Sequence, residues 1–287
     1  MQSQATTKCV NQQTGRTFSQ PSGFTLLELL VVISIIGLLA SVFVFGYSGW
    51  TDKARLANTK SFSQSVRSTL TAYVVGSWTF DRISGATVYD DSGYNNNGTI
   101  YGASVVDGVM GKALFFNSGC SSYVNVPDSV SLSPSKDITI SLWVKTAFTG
   151  NEPLVYKYDG SPYPGYSIRK WGTTSFGLWA GGTGGGSWVY CNKNIVDNNW
   201  HHIVATATMG GKKKLYFNGV FCNENNTGTA GFDSIRSLLI GYCYTNTYID
   251  DVAIYSEAFT IAQVKQLYAE GLAKRGLTEE LAELASR

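Results

Sequence analysis

The chain has 287 residues, with 22 Lys and Arg against 20 Asp and Glu, and 44% of it is hydrophobic. Near-neutrality excludes a nucleic-acid binder working by bulk charge, and the hydrophobic fraction excludes a wholly disordered chain. The apolar residues are concentrated: between Phe24 and Trp50 the only formally charged side chain is Glu28.

Residues 1–22 are polar, with Lys8 and Arg16 as their only charges and no apolar core preceding a cleavage site, which separates this segment from an ordinary secretory signal. An apolar run then extends from Phe24 to Phe45. Roughly 20 helical residues at about 1.5 Å each cross a hydrocarbon core of about 30 Å, so the run predicts a membrane-spanning helix over about 24–46. The basic leader predicts that the N-terminus stays on the cytoplasmic side. Glu28 is the anomaly, since a carboxylate at the centre of a membrane helix costs about 2.5–3.5 kcal/mol and demands a partner. A plain signal anchor with an incidental glutamate is the alternative reading.

The string Gly23-Phe24-Thr25-Leu26-Leu27-Glu28-Leu29-Leu30-Val31-Val32-Ile33, followed by Ile35-Ile36-Gly37-Leu38-Leu39-Ala40, resembles the start of type IV pilins and of the pseudopilins of type II secretion. The resemblance implies cleavage after Gly23 by a prepilin peptidase, N-methylation of Phe24 as the new amino terminus, and pairing of Glu28 with the terminal amine of a neighbouring subunit. Such an amine is the missing partner for a carboxylate in low dielectric. Removing residues 1–23 takes away Lys8, Arg16 and Cys9. The 22 basic residues fall to 20, matching the 20 acidic ones, and the five cysteines become an even four.

No proline interrupts the segment from Phe24 to Val75, so the helix is predicted to continue over 24–75, with Gly37, Gly46 and Gly49 as weak points. Phe62, Val66, Leu70, Tyr73 and Val74 recur at three- and four-residue spacing, one apolar face of an amphipathic helix.

From Gly76 to about Leu272 the pattern changes to short alternating segments between Gly, Asn, Asp and Ser clusters, as in Ile138–Val144 and His202–Thr206. Period-two alternation predicts an antiparallel sandwich or jelly roll, and Asn218-Gly219 between two apolar runs predicts a hairpin. The fold class is thus α+β: a long N-terminal helix, a β-sandwich and a short closing helix near Ile261–Leu272. Residues 273–287 read as an amphipathic helical tail.

Trp78-Thr79-Phe80-Asp81, Asp90–Thr99, Gly111–Phe116, Tyr123–Pro127, Trp200–Val204, Tyr216–Gly219 and Ile249–Tyr255 resemble, in order, the laminin-G-like branch of the concanavalin A-like lectin and glucanase superfamily. Glycoside hydrolysis needs paired carboxylates on one cleft, and the Glu-x-Asp-x-x-Glu string of the superfamily's glucanases is missing here. The reading is therefore of a protein that is not an enzyme and needs no cofactor. The superfamily often holds a structural calcium ion, for which Asp81, Asp90, Asn95, Asn97 and Asp251 are the matching oxygen donors, or else plain turn formers.

His201 and His202, adjacent on a strand, point to opposite faces and read as structural. Trp171, Trp179 and Trp188 surround the Gly-rich stretch Gly181–Gly186 and are candidates for a ligand-stacking platform, or else for sandwich core. Lys212–Lys214 reads as a solvated hairpin cap, too small a footprint for nucleic acid. Cys120, Cys191, Cys222 and Cys243 allow three pairings. Cys191 with Cys222 and Cys120 with Cys243 is the expected one, the second joining loops at one end of the sandwich.

Together these features describe a structural subunit of a type IV pilus or related extracellular filament, displaying a domain for adhesion. Its partners would be the prepilin peptidase, identical or related pilin subunits, inner-membrane assembly machinery, and a surface glycan or protein ligand. It would reside in the cytoplasmic (inner) membrane before assembly and at the cell surface afterwards. The alternatives are a pseudopilin of type II secretion and a DNA-uptake pilin.

Overall fold

The computed structural model describes residues 25–39, 68, 70–117, 119–158, 164–182, 185–226, 231–243 and 246–274. The chain divides into two compact units, Met1–Lys60 and Ser61–Arg287. In the first, helix α1 covers residues 26–39. Thr25 and Glu28 start it reciprocally. The Glu28 carboxylate accepts the Thr25 backbone N–H at 2.9 Å and its hydroxyl at 2.8 Å, while Thr25 Oγ1 accepts the Glu28 N–H at 3.2 Å. The described side chains of α1 are exposed, and most of them are apolar. Gly37 lies within the helix. Among the described residues no helix is long and apolar enough to cross a membrane. The expected span to residue 46 runs past the described part of α1, and Gly46, Gly49, Phe62 and Val66 lie outside the described residues.

The second unit corrects the predicted boundary. Its opening helical turn ends at Tyr73, and strand β1 occupies Val74–Trp78, where helix had been expected through residue 75. Val74 and Val75 are β-branched and favour extended backbone. The last strand of the domain also offers an edge, with Val74 opposite Tyr255 and Trp78 opposite Val252. Val74 therefore belongs to a sheet. Leu70 packs into the same apolar cluster, as the helical periodicity predicts.

The strands that follow are β2 (Ile83–Ser84), β3 (Thr87–Val88), β4 (Gly98–Tyr101), β5 (Ala103–Asp107), β6 (Lys112–Phe116), β7 (Tyr123–Val126), β8 (Asp137–Thr146), β9 (Pro153–Tyr158), β10 (Gly165–Trp171), β11 (Ser175–Gly182) and β12 (Gly185–Cys191). Then come β13 (His201–Thr208), β14 (Lys213–Phe217), β15 (Val220–Asn225), β16 (Leu238–Ile240), β17 (Thr247–Tyr255) and helix α2 (Ile261–Lys274). Two antiparallel sheets form. One runs β15-β14-β13-β8-β17-β6-β5 with β1 beside β17, and the other runs β12-β11-β10-β9-β16-β7-β4-β3-β2. The expected hairpin joins β14 to β15, with Asn218 and Gly219 at φ of +49° and +74°, the left-handed pair that such a two-residue turn requires.

Alternation builds the core between the sheets. Ile138, Ile140, Leu142 and Val144 of β8 and Ile203 and Ala205 of β13 meet Val124, Val126, Tyr166, Ile168 and Leu178 of the facing sheet. The other face of the first sheet is covered by α2, through Val264 against Val204, Tyr216 and Tyr255 and through Leu272 beside Trp143. This second layer explains why β8 is buried along nearly its whole length. Thr260 caps α2, accepting from and donating to Gln263. The helix closes the domain as expected; the predicted tail beyond Lys274 lies outside the described residues.

Both expected disulfides are present. Cys191–Cys222 ties β12 to β15, the edge strands of opposite sheets. Cys120–Cys243 joins the turn after β6 to the connection between β16 and β17. Each of these connections passes from one sheet to the other.

Candidate functional site

Strands β9 to β12 send alternate residues to opposite faces. Tyr166 and Ile168, Phe176, Leu178 and Ala180, and Val189 and Cys191 enter the core. Ser167, Arg169, Trp171, Trp179, Trp188 and Tyr190 therefore face outward. The register sets Tyr156, Ser167, Trp179 and Trp188 in one row across four strands.

The three sequence-named tryptophans thus come together, on the outer face and not in the core. Trp171 and Trp188 meet edge to face at 4.5 Å, and Trp179 lies 5.7 Å from Trp188. Tyr190 is 5.0 Å from Trp171, and Tyr158 is 5.3 Å from Trp179. Their accessibility differs: Trp179 is 5% exposed and Tyr190 is 41% exposed, with Trp171 and Trp188 between. Gly177 makes the packing of Trp171 fit, since a Cβ there would stand 2.5 Å from the Val189 carbonyl oxygen and 3.0 Å from the indole. The outcome is a ring-lined sheet surface able to cover the apolar side of a ligand. Sequence reasoning passes over Tyr156, Tyr158, Ser167, Arg169 and Tyr190. The signal that finds them is the alternation itself, once the inward set of β10 is fixed as Tyr166 and Ile168.

The five calcium candidates separate into two groups. Asp90, Asn95 and Asn97 share the turn between β3 and β4. The Asp90 carboxylate is buried and accepts the N–H groups of Ser77, Ser92 and Asn96, each at 2.9 Å, and the Ser92 hydroxyl at 2.7 Å. These four donors fill the lone-pair positions of a carboxylate. Asn97 Oδ1 accepts the Asp90 N–H at 2.9 Å, and Asn95 takes a left-handed φ of +60°. Asp81 instead accepts the Lys112 N–H at 2.7 Å.

In β17 it is Asp250 that faces the loop between β5 and β6. It is fully buried, accepts the N–H groups of Val109 and Met110 at 2.8 and 3.0 Å, and is pushed up to about 7 by burial. Asp251 sits at φ +46° within the irregular stretch of β17. Among the described residues no three His, Cys, Asp or Glu side chains gather as metal ligands. Asp90 and Asn97 hold the turn between β3 and β4 through these hydrogen bonds.

The histidines diverge as expected. His201 Nε2 lies 2.9 Å from Asp197 with its ring 4.9 Å from Phe217. His202 Nε2 lies 2.9 Å from Ser141 Oγ, its ring packs against both Trp143 and Tyr268, which also stack on each other, and burial pulls its pKa down to about 3. The lysine run departs from expectation. Lys212 pairs with Glu224, but Lys213 is completely buried and donates to Ser187 Oγ at 2.7 Å across the sandwich. Alternation decides this, because Lys213 shares the inward side of β14 with Leu215. Its pKa is drawn down to about 8 by burial. A cleft of about 350 Å³ between this hairpin and the start of α2 is lined by Thr206, Thr208, Lys212, Lys214, Phe259 and Thr260.

In the N-terminal unit Gly23 and Phe24 lie outside the described residues. Glu28 lies in the first turn of α1, where its carboxylate accepts from Thr25.

Residues 117–265, just over half of the chain, match the family model described as the concanavalin A-like lectin/glucanases superfamily. The chain belongs to that superfamily. Ahead of the concanavalin A-like domain, residues 19–44 match the prokaryotic N-terminal methylation motif. The type IV major pilin protein PilE of Neisseria gonorrhoeae is 33% identical over 72 residues, 24% of this chain and 43% of PilE. A fimbrial protein of Neisseria meningitidis serogroup B is 36% identical over 58 residues, 20% of this chain and 34% of that protein. The chain thus matches less than half the length of these pilins.

Among solved structures, the binding domain of Paraclostridial Mosquitocidal Protein 1 superposes with a TM-score of 0.60 at 23% identity, covering 70% of this chain and 53% of that one. A structure of botulinum neurotoxin type C, whose cell entry depends on interaction with two ganglioside molecules, superposes at 0.59 and 16% identity, covering 71% and 53%. At these identities the likeness is one of fold. A pilin-type N-terminal methylation motif is thus followed by a concanavalin A-like sandwich.

Proposed function

We propose that this protein is cut after Gly23, methylated at Phe24 and assembled through Glu28 into a type IV pilus or pilus-like filament that presents the sandwich for adhesion. The pairing of the methylation motif at residues 19–44 with a sandwich bearing a clustered, partly open aromatic face carries this reading. In it, Thr25 holds the Glu28 carboxylate at the head of α1 until a neighbour's terminal amine replaces that contact. The prepilin peptidase and an inner-membrane assembly machine are the processing partners. The sandwich acts by binding, with Trp171, Trp188 and Tyr190 as the surface on which a glycan stacks. The binding face needs no metal.

The test has two parts. Gly23→Asp should leave full-length, unmethylated protein in the membrane, read by intact mass; normal processing of that variant would overturn the assignment. Electron microscopy of sheared cell-surface material from the wild type should show filaments containing this chain. Material confined to a short envelope-spanning assembly would instead place it in a secretion machine.

A further inference from the structure

The outer aromatic face carries one formal charge, which has no carboxylate partner among the described residues. Arg169 is the only charged residue among the outward positions of β9 to β12, which are otherwise Tyr, Trp, Ser and Gly. It is partly buried, and its Nε is fully buried with no hydrogen-bond partner. Glu152, just before β9, acts electrostatically on Lys170, which points the other way into the sandwich.

Two more donors on the same face are unmet. Ser167 is 1% exposed, and its Oγ finds no partner; Trp179, directly opposite it in the register, buries an unpaired Nε1. Buried donors without acceptors are uncommon, and a partly buried guanidinium without a carboxylate is costly. Three such groups within two residues along β10 and one step across to β11 form a cluster of unmet donors under a roof of rings, with the Ser167 hydroxyl able to accept as well. Other unmet polar groups occur among the described residues, and of these only this cluster combines a cation with stacking surfaces.

We propose that the face recognises an acidic sugar, a uronic or sialic-type unit, whose ring stacks on Trp188 and Tyr190 and whose carboxylate is taken by Arg169. The proposal rests on the reading of this face as a glycan site and names the class of glycan. A guanidinium matches a planar carboxylate through parallel N–H bonds, which a neutral hydroxyl cannot reproduce. Ser167 and Trp179 would serve ring oxygens that enter when Trp188 or Tyr190 swings aside, a motion open to partly exposed side chains.

The experiment uses the processed full chain in detergent micelles against immobilised polygalacturonate, alginate, hyaluronan and polysialic acid, each beside its carboxyl-reduced neutral form. At least one acidic polymer should bind, and its neutral form should bind about tenfold more weakly or worse, the scale of one charge-assisted hydrogen-bonded pair. Arg169→Gln should bring acidic binding down to the neutral level, Arg169→Lys should recover part of it, and Trp188→Ala should weaken both forms. Carboxyl reduction changes the ligand alone, so it reads the charge requirement even if a variant folds poorly.

Equal binding of acidic and neutral forms, or an acidic preference untouched by Arg169→Gln in a folded variant, would overturn the acidic-sugar assignment and leave the glycan reading standing. Binding to none of the polymers in either form would overturn both.

Discussion

Replacing Asp90 with alanine removes the acceptor around which the turn between β3 and β4 is wound. Four hydrogen bonds are lost at once, three from backbone N–H groups of Ser77, Ser92 and Asn96 and one from the Ser92 hydroxyl. Water can reach the part-buried Ser77 and Ser92 donors, but the Asn96 N–H is buried. Asn96 also ties the turn to the core, accepting from Trp78 Nε1 at 2.8 Å and donating to the Val75 carbonyl at 2.7 Å. With about 1–3 kcal/mol for each unmet buried donor and part of the loss recovered by water, the expected destabilisation is roughly 3–5 kcal/mol. For a domain of this size that lowers Tm by on the order of 6–20 °C. Tryptophan fluorescence during thermal unfolding of the full chain in detergent reads it, since Trp78 abuts the turn. Asp90→Asn, which keeps one good acceptor, should fall between. Because all four acceptor positions are taken, added calcium or chelator should leave the wild-type Tm unchanged. A Tm for Asp90→Ala within about 2 °C of wild type, or a calcium-dependent rise in wild type that the variant lacks, would refute the reasoning.

Three further outcomes are expected. His202 is held neutral when folded, at about 3 against 6.5 when free, so the unfolded chain binds the extra proton between these values. Its contribution is intact above pH 6.5 and declines as pH falls toward 3, by at most ~1.4 kcal/mol per pH unit; urea midpoints measured across that window should flatten in His202→Gln. Loop-closure entropy assigns about 4 kcal/mol to Cys191–Cys222, spaced 31 apart, and about 5 kcal/mol to Cys120–Cys243, spaced 123 apart. Paired serine variants should lose urea stability in that order, the longer loop costing more. Lys213 is driven toward neutrality by burial, with its pKa lowered to about 8, so stability should rise between pH 8 and 10.5. Lys213→Met should abolish that rise and be no less stable at pH 7 in chemical denaturation.

The features readable in the sequence are those where one local rule acts alone. The turn at Asn218-Gly219 and the opposite facing of His201 and His202 each follow from chain geometry within a few residues. The misreadings occur where a distant partner decides. Val74 fits a helical stripe by spacing, but the free edge of β17, some 180 residues away, makes it a strand residue. Lys213 looks solvated in a run of three lysines until the register of β14 turns it inward onto Ser187. Trp179 and Trp188 carry the size of core residues, yet the inward places on their strands already belong to Leu178, Ala180 and Val189. The oxygens of Asp90 resemble ion ligands in composition, and only the fold shows which donors have already claimed them.

The Cys120–Cys243 link has a mechanical meaning. Tension drawn along the chain from the N-terminal side enters the sandwich at Val74, on a short strand held by its pairing with β17. That strand can peel, and the segment up to Cys120 can pay out behind it, but the disulfide halts the unravelling there. Everything from Tyr156 to Tyr190, the whole outward ring surface, lies inside the closed loop. In the proposed filament, a subunit under load would lengthen only as far as Cys120, and the ring surface would keep its shape.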